Sequence, residues 1–417
     1  MNPGTPVSIS SETHGHWQRL RALAALFLRL GIVGFGGPLA HVGLMEDQCV
    51  TRRQWATREQ FLEGLAICNL LPGPTSTQLS IYLGYLRAGP LGGLISGACF
   101  IFPAFVLVLL LAWAYVQYGA LPQVGALFVA IGPVVIGIIV NTLYRTGKTA
   151  LTNLPAWIIA LAACALVVIP LLPPSVNLLT ILLASGLVGI LLYTRAFQRQ
   201  DAAAKEEAAL PPEAPKADSS IKSVAAAPLL GVKALAAGAA PAAGLLTLAL
   251  VFFKIGLLMF GGGLVVAPLL QQELVDGPHW LTTRQLLDGL AAGQLTPGPV
   301  TTVATFAGYA VDGFAGGIVA TIAVFAPSFI LVLSLTPLLL RVRSAPIAKA
   351  FLKGITAGAL GAIAAAAILF GRAAIIDPFT AVIALASLAL LLRWNVNTVF
   401  LIGGAALLGL GRALLHW

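Results

Sequence analysis

NLLPGPTSTQ, Asn69 to Gln78, returns as QLTPGPVTTV at Gln294 to Val303. Each copy sets Pro-Gly-Pro (Pro72, Gly73, Pro74; Pro297, Gly298, Pro299) between two short apolar segments and follows it at once with hydroxyl residues. Backbone freed by such a break inside a bilayer must find partners in protein, water or a ligand. Gly/Pro-interrupted segments at matching places in two halves point to the binding site of a transporter.

The surrounding chain is apolar enough for that context. It has 417 residues, 59% hydrophobic and 9% charged, with a mean hydropathy of +0.94, whereas soluble domains carry about 25% charged residues. The expected class is an all-α polytopic membrane protein, because the apolar runs are long and continuous, unlike the alternating segments of a β-barrel. The net charge of +9 does not indicate nucleic acid, since the basic residues fall in short loops between apolar runs. Cys49, Cys68, Cys99 and Cys164 lack metal-type spacing and read as helix-packing residues. Residues 1–18 are polar and the first apolar run carries Arg29, so no cleavable signal peptide is expected.

Read in order, the chain divides into a tail (1–18), a first repeat (19–194), a charged, Pro-rich linker (195–240) and a second repeat (241–417). The halves match at an offset of 225: Arg29/Lys254, Phe35/Phe260, Gly36/Gly261, Gly37/Gly262, Trp55/Trp280, Glu63/Asp288 and Pro72/Pro297. One residue is lost near position 80, and Gly84/Gly308, Tyr85/Tyr309 and Pro103/Pro327 continue at 224. The segments flanking each Pro-Gly-Pro reach only about 20 Å as helix, short of a bilayer core of about 30 Å.

Each interrupted pair either crosses the membrane once or turns back as a re-entrant hairpin. A hairpin leaves five spans per half, an odd number that inverts the second repeat. Setting aside Arg29 and Lys254, the hairpin arrangement leaves only Arg19, Arg21, Arg284, Arg372 and Arg412 on one side, with every other Lys and Arg opposite. The crossing arrangement splits them far more evenly. The positive-inside rule therefore favours hairpins, with the linker cytoplasmic and both termini outside.

Two such hairpins would meet near the midplane. The N–H groups and positive dipole end of the half-helix after each break attract anions. Thr75, Ser76, Thr77, Thr301 and Thr302 add hydroxyls, and Asn69 and Gln294 put an amide before each break. Gly36-Gly37 and Gly261-Gly262 allow close backbone approach. Arg29 and Lys254 lie in apolar helices, where a charge costs at least about 2.5–3.5 kcal/mol at the centre; one cation per half would match a divalent anion. Glu63 and Asp288 are matched acids, suited to proton coupling or to pairing with Arg58 and Arg284 one turn away. His41 has no counterpart (Val266) and reads as incidental. No metal, nucleotide or nucleophile motif is present, so no cofactor and no enzyme are expected.

FGGP (Phe35–Pro38), LLPGPTSTQLSIYLGY (Leu70–Tyr85), FGGG (Phe260–Gly263) and LTPGPVTTVATFAGY (Leu295–Tyr309) resemble the chromate ion transporter family in its long-chain, two-domain form. The resemblance covers about 20–145 and 245–370. It implies export of chromate across the bacterial inner membrane, giving chromate resistance, with sulfate as the close analogue. Energy would come from a gradient, with alternating access between the repeats. A sulfate carrier, a channel and a membrane enzyme acting on an anionic headgroup are the alternatives. The partners expected are the oxyanion and the lipid bilayer; a homodimer stays open.

Overall fold

The structure is a computed structural model that describes residues 15–119, 121–169, 177–207, 244–260, 263–342, 346–394 and 396–415. Among the described residues every regular element is helical. In the first half these are α1 (His16–Val33), α2 (Gly37–Glu46), α3 (Arg58–Leu70), α4 (Thr75–Tyr118), α5 (Pro122–Ala150), α6 (Leu154–Val168) and α7 (Leu178–Glu207). The second half has α8 (Leu245–Leu258), α9 (Val266–Leu270), α10 (Thr283–Leu295), α11 (Val303–Val342), α12 (Pro346–Ala374), α13 (Pro378–Trp394) and α14 (Thr398–Leu414). Thr75–Tyr118, Val124–Ala150, Val300–Ser334 and Lys349–Ala374 are long and apolar enough to cross a membrane, and five shorter apolar helices accompany them. Large apolar side chains point outward, as with Leu191, Phe400 and Leu154 at 80%, 74% and 72% exposure. Such a surface suits a hydrocarbon solvent.

The first apolar run is not one helix. It stops at Val33, passes through Gly34–Gly36 and resumes as α2. The expected tail boundary at 18 falls inside α1, and α7 carries helix into the expected linker as far as Glu207. The rest of the linker, 208–240, lies outside the described residues.

Identical local chemistry starts α3 and α10. Thr57 Oγ1 accepts from Gln60 N–H (3.1 Å) while Gln60 Oε1 accepts from Thr57 N–H (2.9 Å). Thr282 and Gln285 repeat this capping box at 3.1 and 2.8 Å. Across each Pro-Gly-Pro the flanking helices lie side by side, since a Cβ on Gly64 would meet the Tyr82 ring and one on Gly289 the Phe306 ring. α4 and α11 then fold back on themselves. Gly89 (φ 68°) and Gly313 (φ 57°) turn the backbone where few side chains tolerate it. Ser96 Oγ donates to Ser80 O (2.7 Å) across the first turn, and Thr305 and Thr321 hydroxyls pair (2.7 Å) across the second.

The halves exchange their last helices. α6 and α7 pack on α12, while α13 and α14 pack on α5. Small residues allow these approaches: Gly189 faces Gly354, Gly361 faces Ala160, Gly137 faces Ser387 and Gly409 faces Ala126.

Candidate functional site

The Pro-Gly-Pro tips are built from chain that cannot be helical. Leu71 (φ −87°, ψ 144°) and Thr296 (φ −92°, ψ 144°) are extended, as residues before proline tend to be. Gly73 (φ 130°) and Gly298 (φ 99°) take a conformation that favours glycine. Pro74 and Pro299 then open the next helix with no side-chain cap.

Each tip is held by the other half. Gly73 N–H donates to Met259 O (2.7 Å), and Gly298 N–H donates to Gly34 O (2.9 Å). Donors and acceptors are repeat mates at the 225 offset. Both acceptors are formed the same way. Phe35 N–H bonds Val33 O, and Phe260 N–H bonds Leu258 O, each at 2.9 Å. Gly34 (φ −74°, ψ 78°) and Met259 (φ −76°, ψ 82°) are thus centres of inverse γ-turns, which turn a carbonyl out of the helix toward the opposite tip.

Around the tips, polar atoms are buried without a protein partner: Thr77 Oγ1, Gln78 Oε1 and Ser328 Oγ at the first, Thr301 Oγ1 and His41 Nδ1 at the second. Such groups cost about 1–3 kcal/mol each if left unsatisfied. Gln78 Nε2 is taken by Pro72 O (2.6 Å). The first intrahelical bond of α4 is Gln78 N–H to Pro74 O (3.0 Å), which leaves the N–H groups of Thr75, Ser76 and Thr77 without a backbone partner. The second tip is tighter, because Val300–Thr302 form a 3-10 turn and Thr302 Oγ1 bonds Pro299 O (2.9 Å).

The other candidates are spread unevenly. Ser76, Thr77, Thr301 and Thr302 are buried at the tips, and Thr75 is half-buried. Asn69 is exposed, with Oδ1 accepting from Thr75 Oγ1 at 3.4 Å, while Gln294 is half-buried. Gly36 (φ 107°) ends the break between α1 and α2 and Gly37 (φ 80°) opens α2; Gly261 and Gly262 lie outside the described residues. Arg29 is on the exposed face of α1, two residues from Gly31, which packs on α4. Lys254 Nζ is held by Glu273 Oε1 at 2.7 Å. Arg29 is thus exposed and Lys254 engaged by an acid, and neither makes a hydrogen bond or ion pair to a tip residue among the described residues. Glu63 is half-buried, whereas Asp288 is 3% exposed, with Arg284 Nε 3.6 Å from Oδ1 and Tyr115 Oη donating to Oδ2 at 2.9 Å. Arg58 reaches Glu46 at 4.0 Å.

Two residues escape sequence reasoning. His41 is buried, and its Nε2–H donates to Gly34 O (2.8 Å), the same carbonyl that receives the second tip. Its ring meets Phe100 edge-on. Tyr115, the partner of Asp288, sits far from it in the chain. His41 carried one usable signal, a titratable ring four residues past Gly37; Tyr115 carried none.

Fold and composition define an all-helical polytopic membrane protein. The model of the family described as Chromate transporter matches residues 21–190 and 246–410. The chain is 36% identical to the chromate transport protein of Cupriavidus metallidurans over 95% of this chain and 94% of that one. It is 35% identical to the probable chromate transport protein of Synechococcus elongatus over 91% of each. With the chromate transport protein of Pseudomonas aeruginosa it shares 32% identity over 83% of this chain and 80% of that protein. No solved structure matches the chain. The chain belongs to the chromate transporter family, and its family marks it as a transporter rather than an enzyme.

Proposed function

We propose that this protein is a secondary transporter that exports chromate across the bacterial inner membrane by alternating access between two inverted repeats. The observation that carries the reading is the reciprocal docking of the tips, Gly73 on Met259 and Gly298 on Gly34. It puts two oppositely derived helix N-termini beside buried, unpartnered hydroxyls. The fit is to a small anion rich in oxygen, which needs many donors. Family membership and the names of its relatives select chromate among such anions.

In this reading the hairpins are re-entrant, each entering from its own side, with the linker cytoplasmic and the termini periplasmic. Thr75, Ser76, Thr77, Thr301 and Thr302, with the free N–H groups of α4, contact substrate oxygens. Asn69 and Gln294 flank the tips, and Gly36, Gly37, Gly261 and Gly262 let the backbone come close. Arg29 and Lys254 supply positive charge along the path. Glu63 and Asp288 are the coupling candidates, and a gradient drives the cycle. Everted membrane vesicles test it: saturable chromate uptake, stimulated by an imposed ion gradient, is expected. Uptake that never saturates would mean a channel, and uptake abolished by equimolar sulfate would mean a sulfate carrier.

A further inference from the structure

We propose that Asp288, gripped by Tyr115, is the binding site of a coupling proton, and that its protonation governs the docking of the second hairpin on α4. The inference rests on the transport reading above. Asp288 lies midway along α10 and is 3% exposed. Oδ2 accepts the Tyr115 O–H at 2.9 Å. Oδ1 has no hydrogen-bond partner, and the nearest cation, Arg284 Nε, stands at 3.6 Å. Tyr115 itself is wedged between the rings of Phe128 and Phe306, both at 5.1 Å. One carboxylate thus joins α10 to the far end of α4, with α5 and α11 closing the sides.

The surroundings of Asp288 include both polar partners and apolar walls. Arg284 on α10 and Tyr115 on α4 favour the carboxylate. α5 offers Phe128, and α11 brings Tyr309 beside the apolar group Val108, Ala112, Ala292 and Phe306, which favours the neutral acid. Of the other packed helices, α12 carries Lys349 and Lys353 in its first two turns and Arg372 in its last, and α14 carries Arg412, engaged by Asp377 at 2.6 Å. A proton taken from water by Asp288 removes the ion pair with Arg284 and weakens the bond from Tyr115, which frees α10 from α4; returning it to the other side restores both. A fixed structural pair would need neither the unpartnered Oδ1 nor the aromatic clamp. Glu63, the repeat mate, is half-buried, and the position matching Tyr115 at the 224 offset is Leu339. The Tyr115–Asp288 pair therefore has no Tyr–acid counterpart at the matching positions.

The test uses the full chain in liposomes loaded with a pH dye, recording chromate flux and proton movement together. Wild type should move protons in a fixed ratio to chromate. In Asp288→Asn the proton-to-chromate ratio of the residual flux should fall toward zero, whereas a merely structural loss would lower both in proportion. Tyr115→Phe, which removes one O–H and keeps the ring, should shift the midpoint of the pH profile by about one unit. An unchanged ratio in Asp288→Asn overturns the proposal, and so does an unchanged pH profile in Tyr115→Phe, which decides the matter if Asp288→Asn does not fold. Wild-type chromate flux without proton movement overturns the proton site alone; no wild-type chromate flux overturns the transport reading with it.

Discussion

The two Pro-Gly-Pro hairpins match in sequence and in backbone but not in surroundings. α10 packs on α5, α12 and α14, and residues Leu286–Gly293 are all buried. The extensive packing of α3 is on α4 and α11, and only Phe61, Gly64, Ile67 and Cys68 are buried. The breaks that receive the tips differ less: Gly34 and Met259 are both buried, but Phe35 is exposed where Phe260 is half-buried, and Pro38 and Ala40 are half-buried where Gly263 and Val265 are buried. If the repeats are inverted as we propose, the contacts that α10 makes with α5 and α14 are those α3 would make with α12 and α7 in the opposite state. The asymmetry then reads as one hairpin closed and one open. The open one starts at Arg58, on the side assigned to the cytoplasm, so this is the state that would load an exported anion.

The largest expected effects come from breaking what the two hairpins share. Gly73→Ala and Gly298→Ala each force a β-carbon onto a positive-φ residue, at about 1 kcal/mol or more of strain. At Gly298 the new atom would lie 2.9 Å from Ala104 Cβ, which cannot rotate away. At Gly73 it meets the Ser328 hydroxyl and the Gln78 amide, which can. Both variants should lose chromate transport at least tenfold at normal membrane levels, with Gly298→Ala the worse. Vesicle uptake with quantified protein checks this, and Ala104→Gly should partly rescue Gly298→Ala. Equal loss at both sites without rescue would show that fit between tip and partner helix is irrelevant.

The matched cations should then separate. Lys254 neutralises Glu273, whose side chain is 13% exposed, so Lys254→Ala strands a largely buried carboxylate. Removing one partner of a buried pair costs about 3–5 kcal/mol, and the partial exposure of Lys254 (34%) lowers the expectation toward the smaller figure. Lys254→Ala should therefore lower the melting temperature in detergent, and Lys254→Ala with Glu273→Gln should recover it. The residue matching Glu273 is Gln48, so Arg29 has no such acid in register. Arg29→Ala should leave melting unchanged and reduce chromate flux several-fold. Identical melting losses in the two single variants would erase the distinction between the halves.

Much of this arrangement was legible because the repeat made it redundant. Glycine breaks, Pro-Gly-Pro tips and the matched acids each occur twice, and their register predicts which segments are equivalent. What was illegible depends on which side chain meets which across the exchange of helices. Glu273 was invisible as the partner of Lys254 because its mate is a glutamine. His41 has no symmetric signal, because Val266 occupies its matching place, yet its ring anchors the carbonyl that holds the second tip. The unequal burial of α3 and α10 is likewise a property of one state of the packed chain, and no local pattern encodes it.

The smallest expected effect compares two helix starts. Asn153 caps α6, accepting from Ala156 N–H (3.2 Å) and from Tyr193 Oη (2.8 Å). Its repeat mate Asp377 caps α13 and carries charge. Thr380 N–H (2.8 Å) and the Thr380 hydroxyl (2.8 Å) donate to its carboxylate, and Arg412 pairs with it at 2.6 Å. These bonds, the Thr380 backbone first, hold the Asp377 carboxyl down to about 2. The folded state therefore binds this proton more weakly than the unfolded chain, so the stabilisation is present at neutral pH and fades as pH falls from about 4 toward 2. Asp377→Asn keeps an acceptor for the helix and drops the charge. It should cost about 1 kcal/mol or less at neutral pH and flatten the acid limb of the melting-temperature profile, while Asn153→Ala should lower stability equally at every pH. An acid limb that stays as steep in Asp377→Asn would place the acid sensitivity elsewhere and remove this difference between the halves.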